Sequence, residues 1–319
     1  MACLNKVLKN TVIAAGALTG LYYGVGGVLC VGALGRPALN RKPEEALNDP
    51  GMLKRYQTNE IFRKADDWYM ANTPNEVTLV NTAKQTLHAE LIRAKTDEHK
   101  WVVLNHGYSS RPRTMALQGV HFYENGYHVL FPYLRGHRKS EQFFTTMGYY
   151  ERYDVAAWIR YIVSIDPEAQ IVVMGCSMGA ATTMLTLGET LPQNVKCAVE
   201  DCGFTNCREQ FTEQIANILH VPPFPFLNAA NSFSKLFLNW DFKECSPLKA
   251  IERSVTPTLF IHGEEDHFVP YDMFPQLYEA CNAEKDYLSV PGAGHDLSCY
   301  KQPEMYWEKV DAFVSKYVK

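Results

Sequence analysis

The chain has 319 residues, 46% of them hydrophobic, and a formal net charge of −4. That suffices for a substantial core in one large domain or two smaller ones, and no basic run or patch marks the chain for nucleic acid. Nine cysteines, an odd number at irregular spacing and without a C-x-x-C pair, offer no zinc or redox motif. They read as buried or free thiols, with a disulfide or two as the alternative if the domain lies outside the cytosol.

In chain order, Lys6 and Lys9 precede an uncharged run from Asn10 to Gly35, which Arg36, Arg41 and Lys42 close. As a helix this run is roughly 39 Å long, enough to cross a bilayer core, and longer than a signal-peptide core of about 7–15 residues. Residues 1–42 therefore read as a membrane anchor. A signal segment cleaved after Val31-Gly32-Ala33 is the alternative, and a buried helix the third reading. Gly16, Gly20 and Gly24 share one helix face, which would let another helix approach closely. Positive charge at both ends leaves the orientation open. The expected setting is a cell membrane with the remaining chain on its extracytoplasmic side, or secretion after cleavage.

Residues 43–75 read as a charged helical linker, with Leu53, Tyr56, Ile61, Phe62, Trp68 and Tyr69 on an amphipathic pattern. "EVTLV" and "QTLHAELIRA", separated by "NTAK", read as a hairpin. From residue 76 to 319 a different rhythm holds. The apolar strands "KWVVLN", "YHVLFPYL", "QIVVMG", "VKCAVED", "TPTLFIHG" and "DYLSV" alternate with helical stretches. Strands apolar on both faces imply a mainly parallel sheet covered by helices on both sides, with the hairpin antiparallel at one edge. The aromatic, proline-bearing segment of about residues 203–247 interrupts that order. It reads as two or three short helices forming a lid, since ligands of open α/β sheets bind outside the carboxyl ends of the strands.

Gly175-Cys176-Ser177-Met178-Gly179 ends a strand and opens a helix. That context suits a nucleophile on a sharp turn, where glycines remove side chains as strand and helix crowd together and the N–H of Met178 points at the same spot as Oγ. The competing reading of Ser177 is a helix N-cap. A serine nucleophile needs a histidine base oriented by a carboxylate, in the chain order serine, acid, histidine. Of His220, His262, His267 and His295, the last lies in the glycine loop "GAGHD" between a strand and the final helix, and is the candidate base. For the acid, Glu264, Glu265 and Asp266 at the end of one strand and Asp201 at the end of another remain open on spacing alone.

Taken together, "NHGYSS", "YLRGHRKSE", "GCSMG", "HGEEDHFVP" and "GAGH", in this order, resemble the α/β-hydrolase superfamily over about Val77 to Tyr317. The similarity extends to its serine aminopeptidase and monoacylglycerol-lipase-like branch. The resemblance implies an α/β-hydrolase fold, Asp266 as the triad acid, and an oxyanion hole formed by the backbone N–H groups of Tyr108 and Met178. It departs at Arg138, where the family turn R-G-H-G carries glycine. Arg135 and His137 are expected to be structural, and Glu151 and Asp154 to cap and position a helix. The expectation is a serine hydrolase with Ser177, His295 and Asp266 as its triad and neither metal nor organic cofactor. Its partners are a small-molecule or peptide acyl substrate and the membrane. Phe204, Phe211, Phe224, Phe226, Phe233, Phe237 and Trp240 in the lid point to an apolar acyl ester. The alternatives are an aminopeptidase-like activity, acyl transfer to another acceptor, or a catalytically silent membrane-anchored interaction protein.

Overall fold

The computed structural model describes residues 2–39, 59–72, 74–96, 98–218 and 220–319. Among them, eight strands form one sheet: β1 (Asn75–Val80), β2 (Thr86–Ile92), β3 (Lys100–Asn105), β4 (His128–Pro132), β5 (Gln170–Cys176), β6 (Val195–Asp201), β7 (Thr258–Gly263) and β8 (Lys285–Val290). Their order is β1-β2-β4-β3-β5-β6-β7-β8. β1 and β2 form an antiparallel hairpin, β2 runs antiparallel to β4, and from β4 to β8 all neighbours are parallel.

The alternation of apolar side chains explains why both faces are covered. Successive residues of a strand point to opposite faces. Trp101, Val103, Ile171 and Val173 enter one core, with α4 (Glu151–Ile165), α5 (Met178–Leu187) and α8 (Pro247–Arg253). Val102, Leu104, Val172 and Met174 enter the other, with α2 (Glu60–Ala71), α3 (Ala116–Glu124) and α10 (Pro303–Val314). Helix α9 (Met273–Ala280) follows β7 and packs Leu277 into the first core. The parallel register aligns Asn105 with Gly175 and Cys176 with Asp201, so the carboxyl ends of β3, β5 and β6 open at one edge.

Between β6 and β7 the chain forms α6 (Cys207–Ile218), α7 (Pro223–Phe233) and a π-helical turn at Ser234–Leu238. The aromatic residues of this segment do not act together as the composition suggested. Phe204 and Trp240 are fully buried in the core, whereas Phe224, Phe226 and Phe237 are exposed, at 72%, 37% and 60%. The first pair fills the space between the segment and the sheet; the other three face outward.

Helix α1 (Ala2–Leu34) contains, at Lys9–Leu34, a stretch long and apolar enough to cross a membrane. It is not a free anchor. Its last turns pack on α7, with the thiol of Cys30 donating to the carbonyl of Ala230 at 3.3 Å and Cys30 and Leu34 buried. Beyond the helix, Thr145 N–H donates to Leu34 O at 3.0 Å and Arg36 N–H to Phe143 O at 2.7 Å. Gly16, Gly20 and Gly24, the face expected to let another helix approach, have no neighbour within 4 Å of a Cβ position among the described residues. Gly26 and Gly27 are the contact instead: a Cβ at Gly26 would lie 2.2 Å from Ala229 O, and one at Gly27 2.9 Å from the Phe233 ring.

Of residues 43–75, expected to be a helical linker, residues 43–58, with Leu53 and Tyr56, lie outside the described residues. Helix α2 packs onto the domain, stacking Phe62 on Tyr300 with centroids 3.8 Å apart and pairing Asp66 with Arg113. The eight cysteines described are all free thiols, which leaves the disulfide alternative without support among them.

Candidate active site

The turn from β5 into α5 holds Ser177 at φ 55° and ψ −120°, a left-handed region that a non-glycine residue enters at a cost of order 1–3 kcal/mol. Two glycines make the turn feasible. A Cβ at Gly179 would sit 2.0 Å from Asn105 O, and one at Gly175 2.2 Å from Gly179 O, so α5 can start this close to β3 and β5 only without side chains. Ser177 N–H donates to Asp201 O at 2.8 Å, which ties the turn to β6. No side-chain cap bond forms at Ser177, contrary to what an N-cap role requires.

The hydroxyl instead meets His295. Ser177 Oγ lies 2.8 Å from His295 Nε2, and His295 Nδ1 lies 2.7 Å from Asp266 Oδ2. A carboxylate only accepts, so Nδ1–H donates to Asp266 and Nε2 is left to accept from the Ser177 hydroxyl. Asp266 Oδ1 accepts from the N–H groups of Phe268 and Val269, both at 2.9 Å. Burial raises the Asp266 carboxyl, but hydrogen bonds from His262 and His295 outweigh it and hold the group below the ordinary carboxylate range.

The other acid candidates stand elsewhere. Glu264 and Glu265 are exposed, and Glu264 accepts from the Ser289 hydroxyl at 2.7 Å. Asp201 is buried and accepts from Tyr306 OH at 2.9 Å; burial, then the nearby Asp296, push its carboxyl up to about 7. His220 and His267 are exposed. His262, also weighed as a base, is buried behind Asp266. Its Nε2 lies 3.0 Å from Val269 O and 3.3 Å from Asp266 Oδ2, so it braces the acid from the side away from the serine.

The turn after β3 lies against the serine, since a Cβ at Gly107 would be 3.6 Å from Ser177 Cβ. Tyr108 follows, and its hydroxyl donates to the Ala33 carbonyl of α1. His106 and His137 support this turn: Leu134 N–H donates to His106 Nε2 at 3.2 Å and Ser109 N–H to His137 Nε2 at 3.1 Å. Burial pushes His106 down to about 3 and His137 to about 4, so both stay neutral acceptors. Arg135 makes a two-pronged pair with Asp154, at 2.6 and 2.9 Å. Arg138, which stands where the resembling turn has glycine, adopts φ 44°, the conformation glycine enters without strain. Glu151 accepts from Thr145 Oγ and Thr146 N–H, each at 2.8 Å, and from Gly148 N–H at 3.0 Å, knotting the loop that also bonds Leu34.

Residues 113–319 match the prolyl oligopeptidase family. The chain belongs to that family. It is thereby a member of the α/β-hydrolase superfamily of serine hydrolases, whose fold the sheet described above reproduces. Among curated proteins this family member is similar to YqkD of Bacillus subtilis (strain 168), 27% identical over 223 residues that cover 69% of this chain and 73% of that one. It is also similar to the human α/β hydrolase domain-containing protein 17C, 29% identical over 163 residues, half of this chain but only 41% of the relative. Its fold is that of the Pyrococcus furiosus esterase Pf2001, with a TM-score of 0.63 at 22% identity over 78% of this chain and 95% of that one. It is likewise that of the Pyrococcus horikoshii acylaminoacyl peptidase, with a TM-score of 0.57 at 18% identity over 76% of this chain and 41% of that one.

In this family member Cys202, Asp266 and His295 bring atoms that could ligate a metal within 4.8 Å of one another, among the described residues. The fit is poor. Asp266 and His295 are already bonded to each other, and burial drives the Cys202 thiol well above its usual range, against the thiolate a metal needs. Three contacts at the site went unread in the sequence. They are the brace from His262, the Phe268 ring 4.8 Å from His295, and the bond from Tyr108 to Ala33. For His262 a signal exists, since it stands four residues before Asp266 at the end of the same strand. The bond to Ala33 joins residues 75 apart and leaves no local pattern.

Proposed function

We propose that the chain is a membrane-anchored serine hydrolase that cleaves a carboxylic ester with an apolar acyl group. Ser177 is the nucleophile, His295 the general base and then acid, and Asp266 the group that holds the imidazole in the right tautomer and stabilises its protonated form. The Ser177 hydroxyl gives its proton to Nε2 as Oγ attacks the acyl carbonyl. The N–H groups of Met178 and Tyr108 receive the developing oxyanion, each such donor being worth about 10²–10³ in rate. His295 returns the proton to the leaving alcohol, leaving an acyl ester on Ser177. The same nitrogen then takes a proton from water as its oxygen attacks the acyl carbon, and hands that proton to Ser177 Oγ as the C–Oγ bond breaks and the acid departs.

The observation that carries this reading is the continuous hydrogen-bonded line from Ser177 Oγ through His295 to Asp266, at 2.8 and 2.7 Å. The ester preference rests on an apolar surround: Cys30 and Leu34 of α1 share one core cluster with Met178, Phe204 and Leu227. The anchor reading rests on the Lys9–Leu34 stretch. A second reading, hydrolysis of a peptide bond, is favoured by the prolyl oligopeptidase match. A panel of p-nitrophenyl esters of graded chain length beside aminoacyl anilides separates the two, with fluorophosphonate labelling as the test of the nucleophile. Turnover of the longer esters and an adduct on Ser177 are expected. Anilide turnover in excess of ester turnover selects the peptidase, and folded protein that takes no label at Ser177 removes the enzyme reading.

A further inference from the structure

Helix α1 and the outer face of the α6–α7 segment form one continuous surface, and the geometry points to a phospholipid bilayer as its partner: the segment is immersed beside the anchor, and substrate reaches Ser177 from the acyl layer. This rests on the membrane reading of α1.

The argument starts from length. Tyr22 of α1 reaches the domain, its hydroxyl 3.2 Å from Ser232 Oγ of α7. The uncharged helix ahead of it, from Asn10 to Leu21, is only about 18 Å long, against the ~30 Å of a hydrocarbon core. A bilayer that contains α1 therefore has to reach the residues that lie beside α7, which brings the outer face of α7 in with them.

That face has the required chemistry. On α1 the apolar stripe does not stop where the domain begins: Leu18, Leu21 and Val28 are exposed at 68%, 65% and 74%. Phe226 of α7 continues it, lining an apolar groove with Leu21, Val25 and Val28. Phe224 and Phe237 of the same segment are exposed as well, at 72% and 60%. A patch of this kind has no reason to persist on a surface that meets only water. Around the helix from the groove, on the side of Tyr22 and Tyr23, the character changes. Arg208, Lys235 and Lys243 line a recess there with a single carboxylate, Asp241. Tyrosines and cations bordering an apolar face match the level of lipid phosphates. The end of α1 bonds to loops beside Ser177, through Leu34 O to Thr145 N–H and through Ala33 O to the Tyr108 hydroxyl, so the lipid-facing helix ends next to the site.

The test uses the full chain reconstituted in phosphatidylcholine vesicles, with or without phospholipid brominated in its acyl chains. Tryptophan is introduced singly as Phe224→Trp, Phe237→Trp, Leu18→Trp and Val255→Trp, and the parent emission is subtracted. Val255 is 90% exposed in the loop entering β7, at the opposite end of the sheet. Quenching of more than half the added emission at positions 224, 237 and 18, with position 255 unaffected, is expected. Quenching at 18 but not at 224 and 237 overturns the immersed segment while leaving the anchor standing. No quenching at 18 overturns the anchor reading and this inference with it.

Discussion

Floor and roof of the site are built by different means. In the floor, at the carboxyl edge of the sheet, each reacting group is tied down by hydrogen bonds: Ser177 N–H to Asp201 O, Asp266 to two backbone N–H groups and two histidines. In the roof, α1 and α7 meet through glycine-to-backbone contact, one thiol bond and one hydroxyl pair, with aromatic rings left outside. Directional bonds hold a catalytic geometry to a fraction of an ångström, whereas apolar packing without them allows sliding and repacking. The proposed chemistry accordingly belongs to the floor, and the proposed substrate choice to the roof.

The sharpest way to test that division is to damage each part separately. Ser177→Ala should reduce ester turnover by about 10⁶-fold with an unchanged circular dichroism spectrum. Asp266→Asn should cost ~10⁴-fold in kcat through loss of the correct histidine tautomer, whereas Glu265→Gln, at an exposed carboxylate, should fall within twofold of the parent. A larger loss from Glu265→Gln would show that the floor has been misassigned.

Gly26→Leu breaks the roof alone. Its side chain meets Ala229 O, and prying the two helices apart should cost roughly 1–3 kcal/mol. Limited proteolysis should then cut near the end of α1, and KM for long-chain esters should rise while p-nitrophenyl acetate turnover stays within a few-fold. Gly24→Leu, with open space around it, should do neither. Equal damage to short and long esters by Gly26→Leu would show that roof and floor are one unit.

A further effect, read on stability rather than on turnover, concerns Asp201. Its carboxyl is raised in the folded chain, so folding favours the protonated form. The contribution of this group to stability is full below the unfolded value near 4 and is lost as pH rises toward about 7. Between pH 5 and 6.5 the slope should approach ~1.4 kcal/mol per unit, and Asp201→Asn should flatten it in urea titrations.

How much of this was legible in the sequence differs between the same two regions. Ser177 stands out because it sits between Gly175 and Gly179 at a strand end, and His295 because it follows Gly292 and Gly294 in the loop after a strand; such local crowding has a local signature. The parallel sheet follows from strands apolar on both faces. The acid could not be chosen by spacing, because Glu264, Glu265, Asp266 and Asp201 all stand at strand ends. What separates them is burial and the backbone N–H groups that Asp266 receives, which depend on how the following loop closes. The roof was misread for a related reason. An apolar helix has the same composition whether lipid or protein covers it, so the evenly spaced Gly16, Gly20 and Gly24 drew the eye while the adjacent Gly26 and Gly27 made the contact.

The bond between Cys30 and Ala230 spans 200 residues of chain. During synthesis at about 5–20 residues per second, helix α1 waits some ten seconds or more for its partner to emerge. Throughout that interval its apolar stripe needs another shelter, and the half-made domain has no roof and no finished pocket. Seating of α1 thus waits for α7, and the contact between them forms only after the 200 residues that separate Cys30 from Ala230 have been made.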